Sequence, residues 1–423
     1  MYHAHVSLAL SRRSILGLLP SMGAGALVAG ACRERSGDAI RVGVLHSLTG
    51  TMAISETSVV DATRLAFEQI NAAGGILDRE VLPIVVDGQS DADIFAREAE
   101  RLVVTERVDA VFGCWTSATR RTVKPIFERT DNLLFYPVQY EGLEQSPNIV
   151  YTGASPNQQI IPAVKWSFDN VGKRAFLIGS DYVFPRTANA LIRAQVDALR
   201  GQIVGEAYLR LGSTDVDAVV KEIVATKPDV ILNTVNGDTN VALFRALRRA
   251  NVTSASLPVM SFSVAEDELR IIDPEDVIGN YATWNYFQSV DTPENASFVK
   301  SFRERYGQER VTDDPMEAAY LGVHLWKQAV VEAQSTDPKR VRDALGRQSY
   351  QAPEGLVSID SATQHTWKTV RVGRVRGDGQ FDVVWTSDKP VRPVPYPIQR
   401  TKDEWERFLT ELHDGWGGAW APQ

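Results

Sequence analysis

Cysteine is almost absent from this chain, which has two, Cys32 and Cys114, in 423 residues. Cys32 lies in a segment with the features of a removable leader, so we expect no internal disulfide in the mature protein. The histidines are also few, and neither they nor the cysteines have the spacing of metal ligands. We therefore predict a fold that rests on its hydrophobic cores, with no metal and no cofactor.

A surplus of positive charge is likewise missing, since the formal net charge is −8 at pH 7. Nucleic acids and anionic membranes carry negative phosphates and would not attract such a chain, so we exclude both as main partners. The composition is otherwise that of a soluble globular protein, without a low-complexity tract. At 423 residues the chain exceeds what one core usually serves, which favours two lobes.

Residues 1–32 have the pattern of a secretory leader rather than of a folded element. The paired Arg12 and Arg13 precede an apolar, small-residue stretch at 18–31, which is typical of the twin-arginine export route and too short for a membrane span. Ala29-Gly30-Ala31-Cys32 is similar to a lipoprotein processing site, with Ala29 where Leu is usual. We predict a periplasmic protein, and the sequence leaves lipidation of Cys32 open.

Strand and helix patterns alternate along residues 40–136 and again along 175–262. Short apolar runs such as 40–45 and 81–86 indicate strands buried on both faces, and helical periodicities separate them. The fold class is therefore α/β, with two doubly wound parallel sheets. Further on, Asp314 followed by Pro315 and Glu317 predicts a helix start, and segments 370–375 and 381–386 predict a hairpin.

Ligands of open α/β sheets bind beyond the carboxyl ends of the strands, so the loops that follow the strands are the place to look. These loops carry hydroxyls, amides and aromatic rings, with few acids and no Lys or Arg before the helices begin. An amino acid or a phosphate would need charged partners there, whereas a small neutral polar molecule would suit them. Four aromatic residues mark the strand ends, namely Trp115, Tyr136, Tyr182 and Trp284. Each of them alone is also explained as a core residue.

Enzyme motifs are missing as well. There is no nucleophile elbow and no zinc-protease motif, and the histidines outside the leader are scattered. Cys114 and His46 both lie near strand ends and could imitate a nucleophile and its base. The sequence shows no third group to orient them, so we expect no enzyme.

Eight segments of the chain resemble one family, the urea and short-chain-amide receptors of branched-chain-type ABC importers. They are IRVGVLHSLTGTMAISET (40–57), FGCWTS (112–117), LLFYPVQYEG (133–142), PNQQ (156–159), GSDYVFPR (179–186), NGDTNV (236–241), DPMEA (314–318) and GQFDVVW (379–385). The resemblance covers almost the whole chain after the leader. It implies a type I periplasmic-binding fold of two lobes joined by three crossovers, with an ABC permease as partner.

The expected division gives residues 39–155 and 287–350 to the first lobe, and 156–286 and 351–395 to the second. Residues 396–423 would form a tail that packs on a lobe. A cytoplasmic amide-sensing regulator belongs to the same broad family, and its motifs imply ligand contacts at Ser117, Tyr136, Tyr182 and Ser263. That regulator has Thr-Pro where this chain has Val138-Gln139.

We expect urea, or another short-chain amide, to lie between Trp115 and Tyr182, with Ser117 and the backbone donating to its oxygen. Acceptors for its N–H groups would come from Glu56, Gln139 or Asp238. The complete set of expected ligand-binding residues is Ser55, Glu56, Trp115, Ser117, Tyr136, Gln139, Tyr182, Asp238, Ser263 and Trp284. The sequence does not separate urea from formamide or acetamide.

Three other functions remain open. An amide-sensing regulator would be cytoplasmic, which the leader opposes. A branched-chain amino-acid receptor would need charged groups at the strand ends, and these are sparse. A hydrolase of small amides would release ammonia.

Overall fold

The first strand, β1 (Ile40–His46), is buried on both faces except at Arg41, which places it inside a sheet. Our computed structural model describes residues 39–422, so the expected leader and Cys32 lie outside the described residues. Parallel partners flank β1 on both sides, and the sheet has the order β2-β1-β3-β4-β5. Its other strands are β2 (Val81–Asp87), β3 (Ala110–Gly113), β4 (Leu134–Tyr136) and β5 (Ile149–Tyr151).

Helices cover both faces of this first sheet, as parallel strands require. Those that follow its strands are α1 (Ala53–Ala72), α2 (Ala92–Glu100), which continues as a π-helical turn at Arg101–Thr105, and α3 (Ser117–Thr130). Three later helices complete the first lobe, namely α10 (Pro293–Tyr306), α11 (Asp314–Ala333) and α12 (Pro338–Leu345). Helix α11 packs along α1, and its Trp326 is fully buried in the first core.

The second lobe holds a seven-stranded sheet of order β15-β14-β10-β9-β8-β6-β7. Its parallel strands are β6 (Arg174–Ser180), β7 (Gln202–Leu209), β8 (Val230–Thr234), β9 (Val259–Ser261) and β10 (Tyr281–Trp284). An antiparallel hairpin of β14 (Arg371–Val375) and β15 (Phe381–Thr386) adds to β10, which confirms the predicted hairpin. The helices are α4 (Ile160–Asn170), after a 3₁₀ turn at Pro156–Gln158, α5 (Val183–Ala198), α6 (Asp217–Thr226), α7 (Thr239–Arg249), α8 (Glu266–Leu269) and α9 (Pro274–Val277).

A small antiparallel sheet belongs to the first lobe, although the sequence assigned most of it to the second. Its strands are β11 (Ser349–Ala352), β12 (Gly355–Ile359) and β13 (Thr366–Trp367). Val357 and Ile359 enter the first core, and the Tyr151 N–H donates to the carbonyl of Gln364 at 2.9 Å. The first lobe therefore extends to about residue 367, beyond the expected boundary at 350.

Asn285 ties together the three chain crossings between the lobes. It follows β10 in the second crossing, and its side-chain amide donates to Gln158 O in the first crossing at 3.1 Å. The same amide donates to Thr369 O in the third crossing at 3.0 Å. Because Asn285 is fully buried, these bonds are shielded from water and fix where the crossings meet.

Helix α11 begins one residue earlier than the expected capping box. Asp313 is the N-cap, and its carboxylate accepts the N–H of Met316 at 3.1 Å. Asp314 instead accepts the N–H groups of Asn285 and Tyr286, both at 2.8 Å. Asp314 thus fixes the backbone of the second crossing, whereas Asp313 caps the helix.

The chain ends in helix α13 (Lys402–Gly415), which packs on the second lobe through Trp405 and Leu409. Beyond it, the carbonyl of Trp420 accepts the N–H of Val183 at the start of α5, at 3.0 Å. Among residues 39–422, no helix is long and apolar enough to cross a membrane.

Candidate functional site

The two lobes touch across the cleft where the carboxyl ends of their strands face each other. The side chain of Gln139, which follows β4, donates from Nε2 to Phe262 O at 2.9 Å and to Ser263 Oγ at 3.2 Å. Phe262 and Ser263 follow β9 of the second lobe. The loops singled out in the sequence therefore meet, and Gln139 and Ser263 are both buried between the lobes.

Three of the expected ligand residues, Trp115, Ser117 and Tyr136, lie at the carboxyl ends of β3 and β4 in the first lobe, and we call them the first-lobe wall. Strand β3 ends at Gly113, whose φ of +158° would bring a Cβ to 2.1 Å from Leu45 O, so the chain passes β1 closely there. The Tyr136 hydroxyl donates to Trp115 O at 2.6 Å and holds the loop in place. All three side chains are at most 4 % exposed.

Beneath this wall lies a cluster of four charges, Arg120, Arg121, Glu141 and Glu144. Arg120 donates from Nε to Glu144 at 2.8 Å, and Arg121 donates from Nη2 to Glu141 at 3.1 Å. Two guanidinium groups thus face two carboxylates, and none of the four side chains is more than 7 % exposed. The wall as a whole carries no net charge.

The opposite charges of the cluster shift the pKa values of Glu144 and Arg120. Burial by itself raises the pKa of Glu144, but the charges of Arg120 and Arg121 outweigh it and hold that pKa at about 2. Burial also disfavours the charged form of Arg120, yet Glu144 and Glu141 raise its pKa well above the ordinary value.

Ser117 connects this cluster to the cleft. Its hydroxyl donates to Glu141, and its oxygen accepts from Arg120 Nη1 at 3.1 Å. Since the single hydroxyl proton is already used, Ser117 offers a ligand only a lone pair. The structure therefore presents Ser117 as an acceptor for a ligand N–H, whereas the sequence analysis expected a donor to a ligand oxygen.

Tyr182 stands on the second-lobe side, at the N-cap of α5, and is 4 % exposed. Burial raises the pKa of its hydroxyl well above the ordinary value, and the neighbouring Tyr136 and Glu141 raise it further. The meeting of Tyr182 with Tyr136 across the cleft stays a prediction.

A second contact between the lobes joins α1 to α8. Ser55 donates to Glu268 at 2.5 Å, and Ser58 donates to Asp267 at 2.6 Å. Arg270 also donates to Asp267, at 2.9 Å. Ser55, which was expected to touch ligand, thus binds the opposite lobe.

Glu56 lies beside this contact but turns toward its own lobe. One of its carboxylate oxygens pairs with His46 Nδ1 and with the Ser47 N–H, each at 2.8 Å. Glu56 is 1 % exposed. It orders the loop that follows β1.

Two further expected ligand residues, Trp284 and Asp238, belong to the second lobe. Trp284 is buried in the hydrophobic core of the second lobe, and its indole N–H donates to Val264 O at 2.8 Å. Asp238 is exposed in the turn before α7 and lines a surface depression with Arg245 and Arg249.

Two buried polar atoms of the expected ligand residues have no hydrogen-bond partner among the described residues: Trp115 Nε1, a donor, and Gln139 Oε1, an acceptor. The orientation of the Gln139 amide is fixed, because its other atom must donate to the carbonyl of Phe262. An unpaired buried polar group costs about 1–3 kcal/mol. A molecule that both accepts and donates would remove that cost at both atoms.

The sequence analysis missed the charged residues of the site. Arg120 and Arg121 lie one turn into α3, while Glu141 and Glu144 follow the recognised YPVQ segment. The acids of α8 come directly after Ser263, in the same strand-end loop. Extending each loop by one helical turn would have found them, although not their partners.

Two other kinds of chemistry find no support in the described part of the chain. Residues 39–422 contain no group of three or more His, Cys, Asp or Glu side chains placed to hold a metal ion. Cys114 is fully buried, and burial followed by the charge of Glu56 raises the pKa of its thiol far above the ordinary value. Because the thiolate is the nucleophile, this shift disfavours a nucleophilic role for Cys114.

Comparison with known proteins agrees with this architecture. The model of a family described as periplasmic binding protein domain matches residues 40–402. The chain belongs to this family. Because the match spans both lobes and all three crossings, it covers the whole cleft.

A curated relative from Brucella melitensis, the Leu/Ile/Val-binding protein homolog 6, is 23% identical over 348 residues, which are 80% of this chain and 88% of that protein. A solved solute-binding protein of an ABC transporter from R. palustris, in complex with 4-hydroxybenzoate, aligns with a TM-score of 0.75. It is 22% identical, and the alignment covers 84% of this chain and 98% of that one. This likeness shows the type I periplasmic-binding fold.

One further match is partial. It is 38% identical over 117 residues to a protein named limonene hydroxylase from Geobacillus stearothermophilus. The match covers 28% of this chain and only 21% of that protein. The relatives matched along most of their length are named as binding proteins, which agrees with the family of this chain.

Proposed function

We propose that this protein is the receptor for a small neutral amide, with urea as the first choice, and delivers it to an ABC permease. The observation that carries the proposal is the pairing state of the cleft. The guanidinium groups beside Ser117 are matched by carboxylates, while a buried donor on Trp115 and a buried acceptor on Gln139 are unpaired. A flat amide offers a carbonyl to the first and N–H groups to the second.

In this arrangement the carbonyl oxygen of the ligand accepts from Trp115 Nε1. Its N–H groups donate to Gln139 Oε1 and to Ser117 Oγ, which keeps a free lone pair. Tyr182 covers the ligand from the second lobe. Because Gln139 also bonds to Phe262 O, ligand contacts and lobe closure share one side chain.

The affinity follows from the size of the ligand. Urea has four heavy atoms, and a ceiling of about −1.5 kcal/mol for each gives roughly −6 kcal/mol, or a Kd in the tens of micromolar. Contacts between the lobes that form only on closure would tighten this further. The closed form would then be the form that the permease recognises.

A branched-chain amino-acid receptor is the second candidate. It is favoured by the name of the Brucella relative and by Asp267 and Glu268, which could pair with an ammonium group. The ligand carboxylate, however, would meet Arg120 and Arg121 already paired with Glu141 and Glu144. Since a buried anion needs its own partner, we place this candidate second.

A thermal-shift screen followed by calorimetry tests the proposal. Urea, formamide or acetamide at low millimolar concentration should raise the Tm, because a ligand that binds only the native state stabilises it. Leucine and 4-hydroxybenzoate should leave the Tm unchanged. The opposite pattern, with leucine or the aromatic acid shifting the Tm and no amide doing so, would refute the proposal.

A further inference from the structure

Glu141 is the one member of the buried charge cluster whose carboxylate receives the Ser117 hydroxyl. Its other oxygen, Oε1, accepts from Arg121 Nε at 3.2 Å, from Arg121 Nη2 at 3.1 Å and from Arg120 Nη2 at 3.4 Å. Glu141 is fully buried. It therefore faces the arginines on one side and the cleft hydroxyl on the other.

The direction of the Ser117 hydroxyl follows from its partners. Glu141 accepts from both guanidinium groups and also accepts the serine hydroxyl. Arg120 fills one lone pair of the serine oxygen. The remaining lone pair attracts an N–H group and repels a ligand oxygen that carries no hydrogen.

From this geometry we infer that Glu141 determines which ligand charge the receptor accepts. It cancels the positive charge beside Ser117 and turns the serine into an acceptor, so that amides are admitted and isosteric carboxylates are rejected. The inference rests on the proposed function and adds to it the residue that sets the substrate class. A carboxylate ligand would meet a lone pair on Ser117 and the negative charge of Glu141 directly behind it.

The substitution Glu141→Gln reverses both effects at once. The glutamine amide can donate to Ser117 Oγ, which releases the serine hydroxyl to donate to a ligand oxygen. It also leaves one guanidinium charge of the cluster uncompensated. Both changes favour an anion at the place where the wild type binds an amide.

Glu144→Gln is the matched control. It removes the same charge from the same cluster, but Glu144 bonds to Arg120 Nε and to the Tyr151 hydroxyl rather than to Ser117. The Ser117 hydroxyl therefore stays on Glu141. If only total charge mattered, the two variants would behave alike.

Acetamide and acetate are the probes, because they have nearly the same shape and differ in charge and hydrogen-bond donors. Calorimetry on the wild type should show acetate binding at least about a hundredfold more weakly than acetamide. In Glu141→Gln the affinity for acetate should rise by about tenfold or more, while that for acetamide falls. Glu144→Gln should keep the preference of the wild type.

Each result decides the matter. Equal affinities of the wild type for acetamide and acetate would overturn the inference, as would a folded Glu141→Gln variant that rejects acetate, or equal gains in both variants. If the wild type binds no amide at all, the proposed function itself is refuted. If the wild type binds amides but Glu141→Gln gains no affinity for acetate, only the role of Glu141 is refuted.

Loss of a buried charge partner can unfold a protein, so a second variant is needed. Glu141→Gln combined with Arg121→Gln restores the charge balance and keeps the glutamine beside Ser117. Circular dichroism establishes folding of each variant before calorimetry. A folded double variant should still bind acetate better than the wild type does, and its failure to do so would equally overturn the inference.

Discussion

Ser55 on the first lobe donates its hydroxyl to the carboxylate of Glu268 on the second lobe, at 2.5 Å. The two residues are 213 positions apart in the chain and both are buried. The bond exists only while α1 and α8 are in contact. Opening of the cleft would return both groups to water.

This relationship predicts that closure takes up a proton. Burial raises the pKa of Glu268 to about 7, the charge of Asp267 adds to the shift, and the bond from Ser55 opposes it. Asp313 and Glu266 also face this group, and Arg270 and Arg310 are the nearby cations. A carboxyl with a raised pKa stabilises the closed form below its ordinary pKa, and this contribution is lost as the pH rises through about 7.

We therefore expect the apparent affinity for ligand to fall by about tenfold between pH 6 and pH 8. Glu268→Gln should be nearly insensitive to pH in this range, because the glutamine keeps an acceptor for Ser55 and does not titrate. Calorimetry at several pH values measures this, with Glu304→Gln on the exposed surface of α10 as control. An identical pH profile for the wild type and Glu268→Gln would contradict the prediction. Small-angle scattering without ligand gives an independent measure of closure.

Tyr182→Ala should weaken amide binding by about 2–3 kcal/mol, near a hundredfold in Kd, because it removes both ring contact and the hydroxyl. Tyr182→Phe should cost about 1 kcal/mol if the ring carries most of the effect. Tyr208→Phe makes the same change at β7, where the hydroxyl donates to Glu206, and should leave affinity unchanged. Unchanged binding by Tyr182→Ala, measured by calorimetry, would remove Tyr182 from the site.

The end of the chain should contribute to affinity although it lies outside the cleft wall. Trp420 accepts the N–H of Val183, directly after Tyr182, and Arg121 of the first lobe lies 4.9 Å from its ring centroid. Truncation after Gly418 removes both contacts and should weaken ligand binding by about threefold to tenfold. Trp420→Ala keeps the carbonyl and should show a smaller loss.

The control for this prediction is Trp385→Ala, since Trp385 lies on the edge strand β15 and is 36 % exposed. Calorimetry compares the three variants, and the Tm of each verifies folding. Wild-type affinity after truncation would mean that the tail only covers the surface of the second lobe.

Lys368→Met should destabilise the fold by about 3–5 kcal/mol, because it leaves buried carboxylates without their cation. The Lys368 ammonium lies 3.3 Å from Glu354 and 3.9 Å from Glu317, and it donates to Thr152 O at 2.9 Å. Lys300→Met removes an exposed lysine on α10 and should cost less than about 1 kcal/mol. Unfolding in guanidinium chloride measures both changes without using urea, the expected ligand. Equal stability of the two variants would show that Glu317 and Glu354 do not need the Lys368 cation.

Much of the architecture was predictable from local patterns. The apolar runs at 40–45 and 81–86 became β1 and β2, and the predicted hairpin became β14 and β15. The small sheet of β11, β12 and β13 was missed because its strands, of two to five residues, carry little periodicity. The N-cap of α11 was misplaced by one residue because two adjacent acids could cap the helix. Asp313 caps it, whereas Asp314 binds the backbone of Asn285 in the second crossing.

For the site, the sequence by itself determined which side chains stand at the ends of the strands, because the alternation of strand and helix fixes where each loop begins. Trp115, Tyr136 and Tyr182 follow from that rule. Which polar atoms pair with each other was decided only by the tertiary structure. The bonds of Glu141 to Ser117 and of Glu268 to Ser55 join residues 24 and 213 positions apart, and no local pattern encodes such partners. Those pairings decide which donors and acceptors remain for a ligand, since a buried polar group is bonded wherever the fold brings a partner within reach.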